Sequence, residues 1–394
     1  MTATQDMESR VVDLSDALVF EVAKRWLTAG TDDQKKITTR IAGWLVENHA
    51  DDLPWLDLRW GAKRQIDLTR YRVYRIVREA VRRGFVHLNP PEAVEVGREL
   101  LSRYDLDDKK FEIRVVNVAE DVNDMVARAT ADLAFQLFRR LAEQHAREAE
   151  NAGLDPEKGA KPVSIGLGAG HSSLAVVTHL ATLINAMPAC PKLRLHALTA
   201  TIQNPMISPV TFFRLFDEHK PIEYVDLPTA ATVECSGYQD LQKQDDNIRR
   251  AFALRDEIEL VVSSLGAADD EHGTIRQYLD SNKYGPSSIS HRDIVGDLQY
   301  LPYHATGPIR LTPDIPGRRA VTLFDWENFE QYNRRPERFF VISAGPCRMC
   351  GSTKTPAIVP LLSHMRFWTH LVTDLHTARE LLAPEASARL RKGT

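Results

Sequence analysis

The sequence predicts an α/β chain in two parts: an N-terminal winged helix-turn-helix and a C-terminal Rossmann-like α/β domain with a mainly parallel sheet. Three observations predict it. Positive charge is concentrated on one short helix near the N-terminus. Short apolar runs alternate with helical segments from residue 163 onward. A glycine-rich turn joins the first of those runs to a helix.

Composition sets the frame. The chain has 394 residues, 43% hydrophobic and 26% charged, with a formal net charge of −4. These are the proportions of a soluble globular protein of two or three domains. The opening MTATQDMESR is polar, and no apolar run reaches the length of a bilayer span, so the expected address is the cytoplasm, without a membrane partner. Four cysteines are too few for a disulfide-built scaffold, which agrees with a reducing compartment.

The near-neutral total hides a local asymmetry. Between Arg59 and Arg83 nine arginines and lysines face only Asp67 and Glu79. Thr69 can cap a helix there by accepting a first-turn N–H. Val73, Ile76, Val77, Ala80 and Val81 recur at helical spacing and predict a buried stripe. Gly84 suits the stop, and FVHL (85–88) reads as a short strand. The exposed face carries Arg70, Tyr71, Arg72, Tyr74 and Arg75, with Arg78 a turn further on. Arginine forks grip phosphates or the guanine edge, and tyrosines reach phosphate or pack on sugars. Upstream, FEVAKRWL (20–27) and QKKITTRIAGWLVENH (34–49) read as two amphipathic helices. Three helices and a strand outline a winged helix-turn-helix over 1–90, with 69–83 as recognition helix. Thr69, Arg70, Tyr71, Arg72, Tyr74, Arg75 and Arg78 are then the candidate DNA contacts. A basic helix alone is more often a solvated face, but here cap, stripe, strand and charge coincide.

Residues 91–110 read as a linking helix, and 111–394 as the α/β domain. FEIRVVNV (111–118) predicts a strand, and 122–150 a long helix. Beyond 163 come VSIGLG, SLAVVTHLATLINAM, LRLHALTA, SPVTFFRLFDEH, IEYVDLP, a helix near 240–255, and IELVVSSLG. In IGLGAGHSSLAVV (165–177), a strand ends, small residues follow and a helix begins. Such a turn presents backbone N–H groups to an anion such as phosphate, or it is simply a tight turn. It is neither a Walker A loop nor a full dinucleotide fingerprint.

The segment LTRYRVYRIVREAVRRGFV (68–86) resembles the recognition helix of the SorC family of sugar-responsive bacterial transcription regulators. The likeness rests on Thr69-Arg70, Val73-Tyr74-Arg75, Ala80 and Gly84-Phe85-Val86. In that family a tight turn precedes this helix, whereas here ENHADDLPWLDLRWGAKRQI (47–66) intervenes, either as a packed excursion or as an extra contacting element. The resemblance continues through GLGAGHSS (166–173), SSLGAADD (263–270), RDIVGDLQYLPYHATG (292–307) and VISAGPCRMCGSTKTPAIVPLL (341–362). It ends with HLVTDLHTARELL (370–382), the most specific match.

The resemblance implies a regulator rather than an enzyme. Its C-terminal domain would resemble sugar-phosphate isomerases and deaminases and bind a phosphorylated sugar or related metabolite. Its other partners would be a double-stranded DNA operator and further copies of itself, as a dimer or tetramer, and no cofactor is implied. Carried over by position, phosphate would sit on Gly168, Gly170, Ser172 and Ser173, beside the unusual His171. Lys354 would supply positive charge, and Asp297, or Asp269 and Asp270, would accept from sugar hydroxyls. The rival reading is a sugar-phosphate enzyme using Asp297 and Lys354 as its acid/base pair. Cys347 and Cys350 form a CxxC beside this site. A zinc site needs four ligands, Cys190 and Cys235 lack metal spacing, and no histidine pair has it. The expectation is two loop cysteines without metal, with a redox switch as the other reading.

Overall fold

A computed structural model of the chain describes residues 14–29, 33–56, 59–82, 90–202, 204–243, 245–273, 276–278, 293–332 and 334–383. Two compact units divide it, Met1–Leu88 and Asn89–Thr394. Among the described residues, no helix is long and apolar enough to cross a membrane.

The described residues of the first unit form three long helices. In α1 (Asp16–Leu27) the Ser15 hydroxyl accepts from the Leu18 amide at 3.3 Å. In α2 (Gln34–Asn48) the Asp33 carboxylate accepts from the Lys35 amide at 3.0 Å. Each such cap contributes about 1 kcal/mol. The third helix, α3 (Ala62–Arg82), packs Val73, Ile76 and Ala80 against Leu18, Ile41 and Leu45.

The structure corrects the sequence reading of α3 at three points. The helix begins at Ala62, so Thr69 lies in its interior and caps nothing. Thr69 is fully buried, and its hydroxyl accepts from the Trp55 indole at 3.3 Å, so it faces the core rather than DNA. Val81 lies exposed and leaves the buried stripe to Val73, Ile76 and Ala80. Within 47–66, Leu53 and Trp55 pack into the core, while Ala62 onward is already helix and carries Lys63 and Arg64 exposed. Gly84 and the strand read at 85–88 lie outside the described residues.

In the second unit, α4 (Val94–Arg103) falls within the segment read as a linking helix. It lies directly on β1 (Glu112–Val116), where a Cβ on Gly97 would come within 2.3 Å of the Ile113 carbonyl oxygen. The long helix α5 (Val122–Asn151) follows, then β2 (Val163–Leu167), α6 (His171–Asn185), β3 (Leu193–Ala197) and β4 (Ile222–Val225). The helix expected over SPVTFFRLFDEH shortens to Pro209–Phe212 and a 3-10 turn. Next come β5 (Thr232–Glu234), α7 (Asp246–Leu254), β6 (Leu260–Ala267), β7 (Ile294–Leu298), β8 (Leu301–His304) and β9 (Gly307–Pro308). The unit closes with β10 (Arg318–Ala320), α8 (Trp326–Tyr332), β11 (Phe339–Ala344), α9 (Thr355–Ser363), β12 (His370–Asp374) and α10 (Leu375–Leu382).

The main sheet has the order β1-β12-β11-β6-β2-β3-β4, with each neighbouring pair parallel. Its central strands are apolar on both faces, as a doubly covered sheet requires. Val262, Val341 and Val372 pack with α5 and α6, while Val261, Ile342 and Leu371 pack on the opposite side with Phe329, Leu361 and Leu381. From β2 the chain winds outward to β3 and β4. It then returns to β6 on the other side of β2, which makes β2/β6 the switch point where α/β folds place their ligands.

Past this sheet, the end of β6 pairs antiparallel with β7, which pairs with β8 and then β9. Leu298 and Leu301 face each other across a two-residue turn, Gln299 and Tyr300, with φ of 54° and 63°. A primed hairpin turn needs positive φ at both positions, and Asn-Gly normally supplies it. Here two bulky residues hold that strained geometry. Gly296 on β7 fits because it lacks a side chain: a Cβ would meet the Tyr303 hydroxyl at 2.5 Å, the Gly266 carbonyl at 2.7 Å and Ala357 Cβ at 2.8 Å. Gly296→Ala is therefore expected to destabilise the second unit by about 1–3 kcal/mol. It would be read as a lower urea midpoint at unchanged slope.

Candidate functional site

The expected loop residues meet at the switch point. Strand β2 ends at Leu167, and α6 begins at His171. Gly170 between them has φ of 113°, open to glycine and strained for other residues. A Cβ on Gly168 would lie 2.4 Å from Ser263 Oγ on β6, so the loop hugs its neighbouring strand. The amides of both glycines are engaged, Gly168 with the Val262 carbonyl at 2.9 Å and Gly170 with the Ile207 carbonyl at 3.0 Å. The first intrahelical bond of α6 runs from the Leu174 amide to the Gly170 carbonyl. The first-turn amides of His171, Ser172 and Ser173 therefore have no intrahelical acceptors, as at any helix start.

The two serines differ. Ser173 is buried; its hydroxyl donates to the Ala169 carbonyl at 2.9 Å, meets Ser264 Oγ at 3.0 Å and accepts from the Ser264 amide at 3.1 Å. It therefore clamps the loop to β6. Ser172 is half-exposed and lines a cavity of about 430 Å³ together with Gly170, His171, Asp270, Asp297, Gln299 and Lys354. The loops after β2, β6 and β11 and the β7–β8 turn all contribute to its wall.

Three buried polar groups give this cavity its chemistry. Lys354 precedes α9 and donates from Nζ to the Leu265 carbonyl at 2.6 Å. An ammonium has three donors, and this bond uses one. Burial pushes the Lys354 pKa down, while Asp270, Asp297 and Cys347 pull it up. Asp297, 5% exposed, accepts from the Tyr300 amide at 2.8 Å through Oδ2, while Oδ1 has no partner among the described residues. Burial raises its pKa to about 6 against the pull of the Tyr300 amide and Lys354. Gln299 is 4% exposed, and neither its carbonyl oxygen nor its amide nitrogen has a partner there. Each such buried atom costs about 1–3 kcal/mol when unpaired, and those of Gln299 sit on a strained turn. Gln299 was not singled out from sequence. Asp269 lines a neighbouring cavity of about 620 Å³. There Thr353 and Thr355 donate to Glu380 at 2.5 and 2.6 Å.

A further group meets at the rim. The CxxC cysteines Cys347 and Cys350 are joined there by Asp270 and His272, and one donor atom from each lies within 4.8 Å of all the others. Hydrogen bonds, chiefly from the Ser352 hydroxyl, lower the Cys350 thiol to about 7, whereas burial pushes Cys347 up.

On the first unit, the outward side of α3 carries Lys63, Arg64, Arg70, Tyr71, Tyr74 and Arg78. Tyr71 is 68% exposed, and the Arg70 guanidinium donates to its hydroxyl at 2.9 Å. Tyr74 packs edge-on against Trp26 with ring centres 5.0 Å apart. Arg72 instead turns back, donating to the Leu68 carbonyl at 2.8 Å and lying 5.2 Å from the centre of the Trp55 ring. Arg75, like Arg70, is half-buried.

These observations define a two-unit protein: a small helical unit, and a doubly wound α/β unit with a polar crevice at its switch point. The same fold is found in the full-length sorbitol operon regulator SorC from Klebsiella pneumoniae. That structure is 15% identical, with a TM-score of 0.54, and the match covers 90% of this chain and 100% of that one. A domain of a transcriptional repressor from Vibrio fischeri, assigned as sugar-binding, matches at 16% identity with a TM-score of 0.50, over 75% of this chain and 100% of that one. No family model matches the chain, and no curated protein matches it. The chain thus has the fold of the SorC-type sugar-binding regulators.

Asp297 makes stability depend on pH with a definite sign. Its pKa rises from 3.8 to about 6 on folding, so the unfolded chain releases this proton first as pH rises. Stability due to this group falls between those values and stays lowered above them. Asp297→Asn removes the charge. The variant is expected to exceed the parent by on the order of 2 kcal/mol near about pH 8, and to lose that advantage below about pH 4. Urea unfolding at both pH values checks it.

Proposed function

We propose that the chain is a DNA-binding transcription regulator whose α/β unit senses a phosphorylated sugar or a related metabolite. The observation that carries this reading is the crevice at β2/β6. There the α6 first turn, Ser172 and Lys354 offer donors to an anion, and Asp297 and Gln299 line the same cavity with buried polar atoms that lack a partner among the described residues. Phosphate suits the donor end. A hydroxylated body suits the other, where a carboxylate accepts and an amide both donates and accepts. The fold shared with SorC supports the same reading.

The outward face of α3 is the DNA-reading surface in this proposal. Arg70, Tyr71, Tyr74 and Arg78 contact the duplex there, with Lys63 and Arg64 on backbone phosphates. Arg72 holds Trp55 in place, and Thr69 supports the helix from within. A homo-oligomer would set two such faces on half-sites one helical turn, or a whole number of turns, apart. If metabolite and DNA favour different arrangements of the oligomer, each weakens the other by the same factor.

The rival enzymatic reading draws on one observation: Asp297 and Lys354 line one cavity, with pKa values pushed toward each other. Turnover of pentose or hexosamine phosphates by the purified protein would favour it.

Binding to the region upstream of the chain's own gene, against random DNA and at about 50 and 200 mM salt, tests the regulator. Specific binding shifted by one of a panel of sugar phosphates is the expected outcome; no specific binding under any condition would defeat it. Arg70→Ala and Arg78→Ala are each expected to weaken binding and to reduce the salt slope by about one. Arg72→Ala should leave the slope unchanged, and melting of the first unit should fall.

A further inference from the structure

The side chains at the cavity rim form a donor set that sequence spacing did not reveal. Cys347 and Cys350 lie on the loop after β11; Asp270 and His272 lie on the loop after β6. His272 and Cys347 are 75 positions apart in the chain, yet Cys347 Sγ is 3.8 Å from His272 Nδ1. His272 Nδ1 is in turn 3.6 Å from Asp270 Oδ1. One donor atom from each of the four residues lies within 4.8 Å of the other three. Tetrahedral zinc, with bonds of about 2.3 Å to sulfur and about 2.0 Å to nitrogen or oxygen, sets ligand-to-ligand edges of about 3.3–3.8 Å. The two measured edges have this size before any ion draws the atoms together.

The loops are shaped for the task. The Cys347 amide donates to the Ser352 carbonyl at 2.8 Å, and the Gly351 amide donates back to the Cys347 carbonyl at 2.8 Å. Gly351 closes this turn with φ of 73°, where a side chain would be strained. On the other loop, the His272 amide donates to Asp270 Oδ1 at 3.0 Å, which orients the carboxylate beside the ring.

We propose that Asp270, His272, Cys347 and Cys350 bind one divalent transition-metal ion of zinc type, which clips the loop after β6 to the loop after β11. Two thiolates and an imidazole disfavour magnesium and calcium, which take oxygen donors. Four protein ligands leave no open position, so the site is structural rather than catalytic. The clip fixes the segment that ends in Lys354, and so sets one wall of the cavity.

The test uses the full-length protein, reduced and stripped of metal, then titrated with Zn²⁺ and Co²⁺ against a chromophoric chelator. The expected result is uptake of about one ion per chain. Cobalt should give a thiolate-to-metal absorption band and tetrahedral visible bands. Zinc should shield two thiols from a thiol reagent and raise the melting temperature. His272→Ala and Cys350→Ser change exposed side chains, so folding should survive, and both should lose the cobalt band and weaken uptake at least tenfold. Cys347→Ser, at a buried position, is the harder variant to fold, so the test rests on the other two. If the reduced protein takes up no metal, or uptake is the same in His272→Ala and Cys350→Ser, the proposal is wrong. A Cys347–Cys350 disulfide whose reduced form stays metal-free would mark a redox pair instead, and would equally overturn it.

Discussion

The second unit depends on how closely the loop after β2 lies against β6. With a Cβ at position 168 only 2.4 Å from Ser263 Oγ, no residue but glycine fits without movement. The Gly168 amide bonds the Val262 carbonyl, and Ser173 clamps Ser264 from above. Strand β6 thereby becomes the reference for the whole cavity. Lys354 is tied to it through the Leu265 carbonyl, and Asp297 through the pairing of Gly266 with β7. Groups from three segments of the chain are located against one strand. Their mutual geometry is that of a sheet rather than of three separate loops, and such preorganisation keeps the entropic loss on binding small.

Much of this fold was legible in the sequence because it is written in local periodicity. Apolar runs such as VSIGLG and IELVVSSLG fall where β2 and β6 lie, and the helical pattern of 122–150 is α5. Gly170, Ser172, Asp297 and Lys354 were placed together by a motif resemblance, and they line one cavity. What escaped was what local pattern cannot encode. Thr69 suits a cap by residue type, yet the helix had begun at Ala62, and the Trp55 indole claims its hydroxyl from a segment with no helical period. Gln299 looks like any surface glutamine until the hairpin turns it inward. The partners of the CxxC lie on another strand's loop, and only the sheet order brings them near.

The basic helix shows how formal charge differs from available charge. Nine cations fall between Arg59 and Arg83, but tertiary packing sorts the described ones by side. Arg72 lies along Trp55, Arg70 and Arg75 are half-buried, and Arg78 is exposed. Guanidinium groups are suited to both duties, since the planar face stacks on aromatics while the edge donates. Packing thus divides the arginines between holding the helix and projecting from it.

The Gln299–Tyr300 turn carries a consequence for how this chain can change over generations. Selection for folding alone would drift toward Asn-Gly at these two positions, because that pair relaxes both left-handed residues at once. Such drift would leave the hairpin intact while removing the buried Gln299 amide from the cavity. A thermostable descendant reached this way would keep its shape with a chemically different cavity wall.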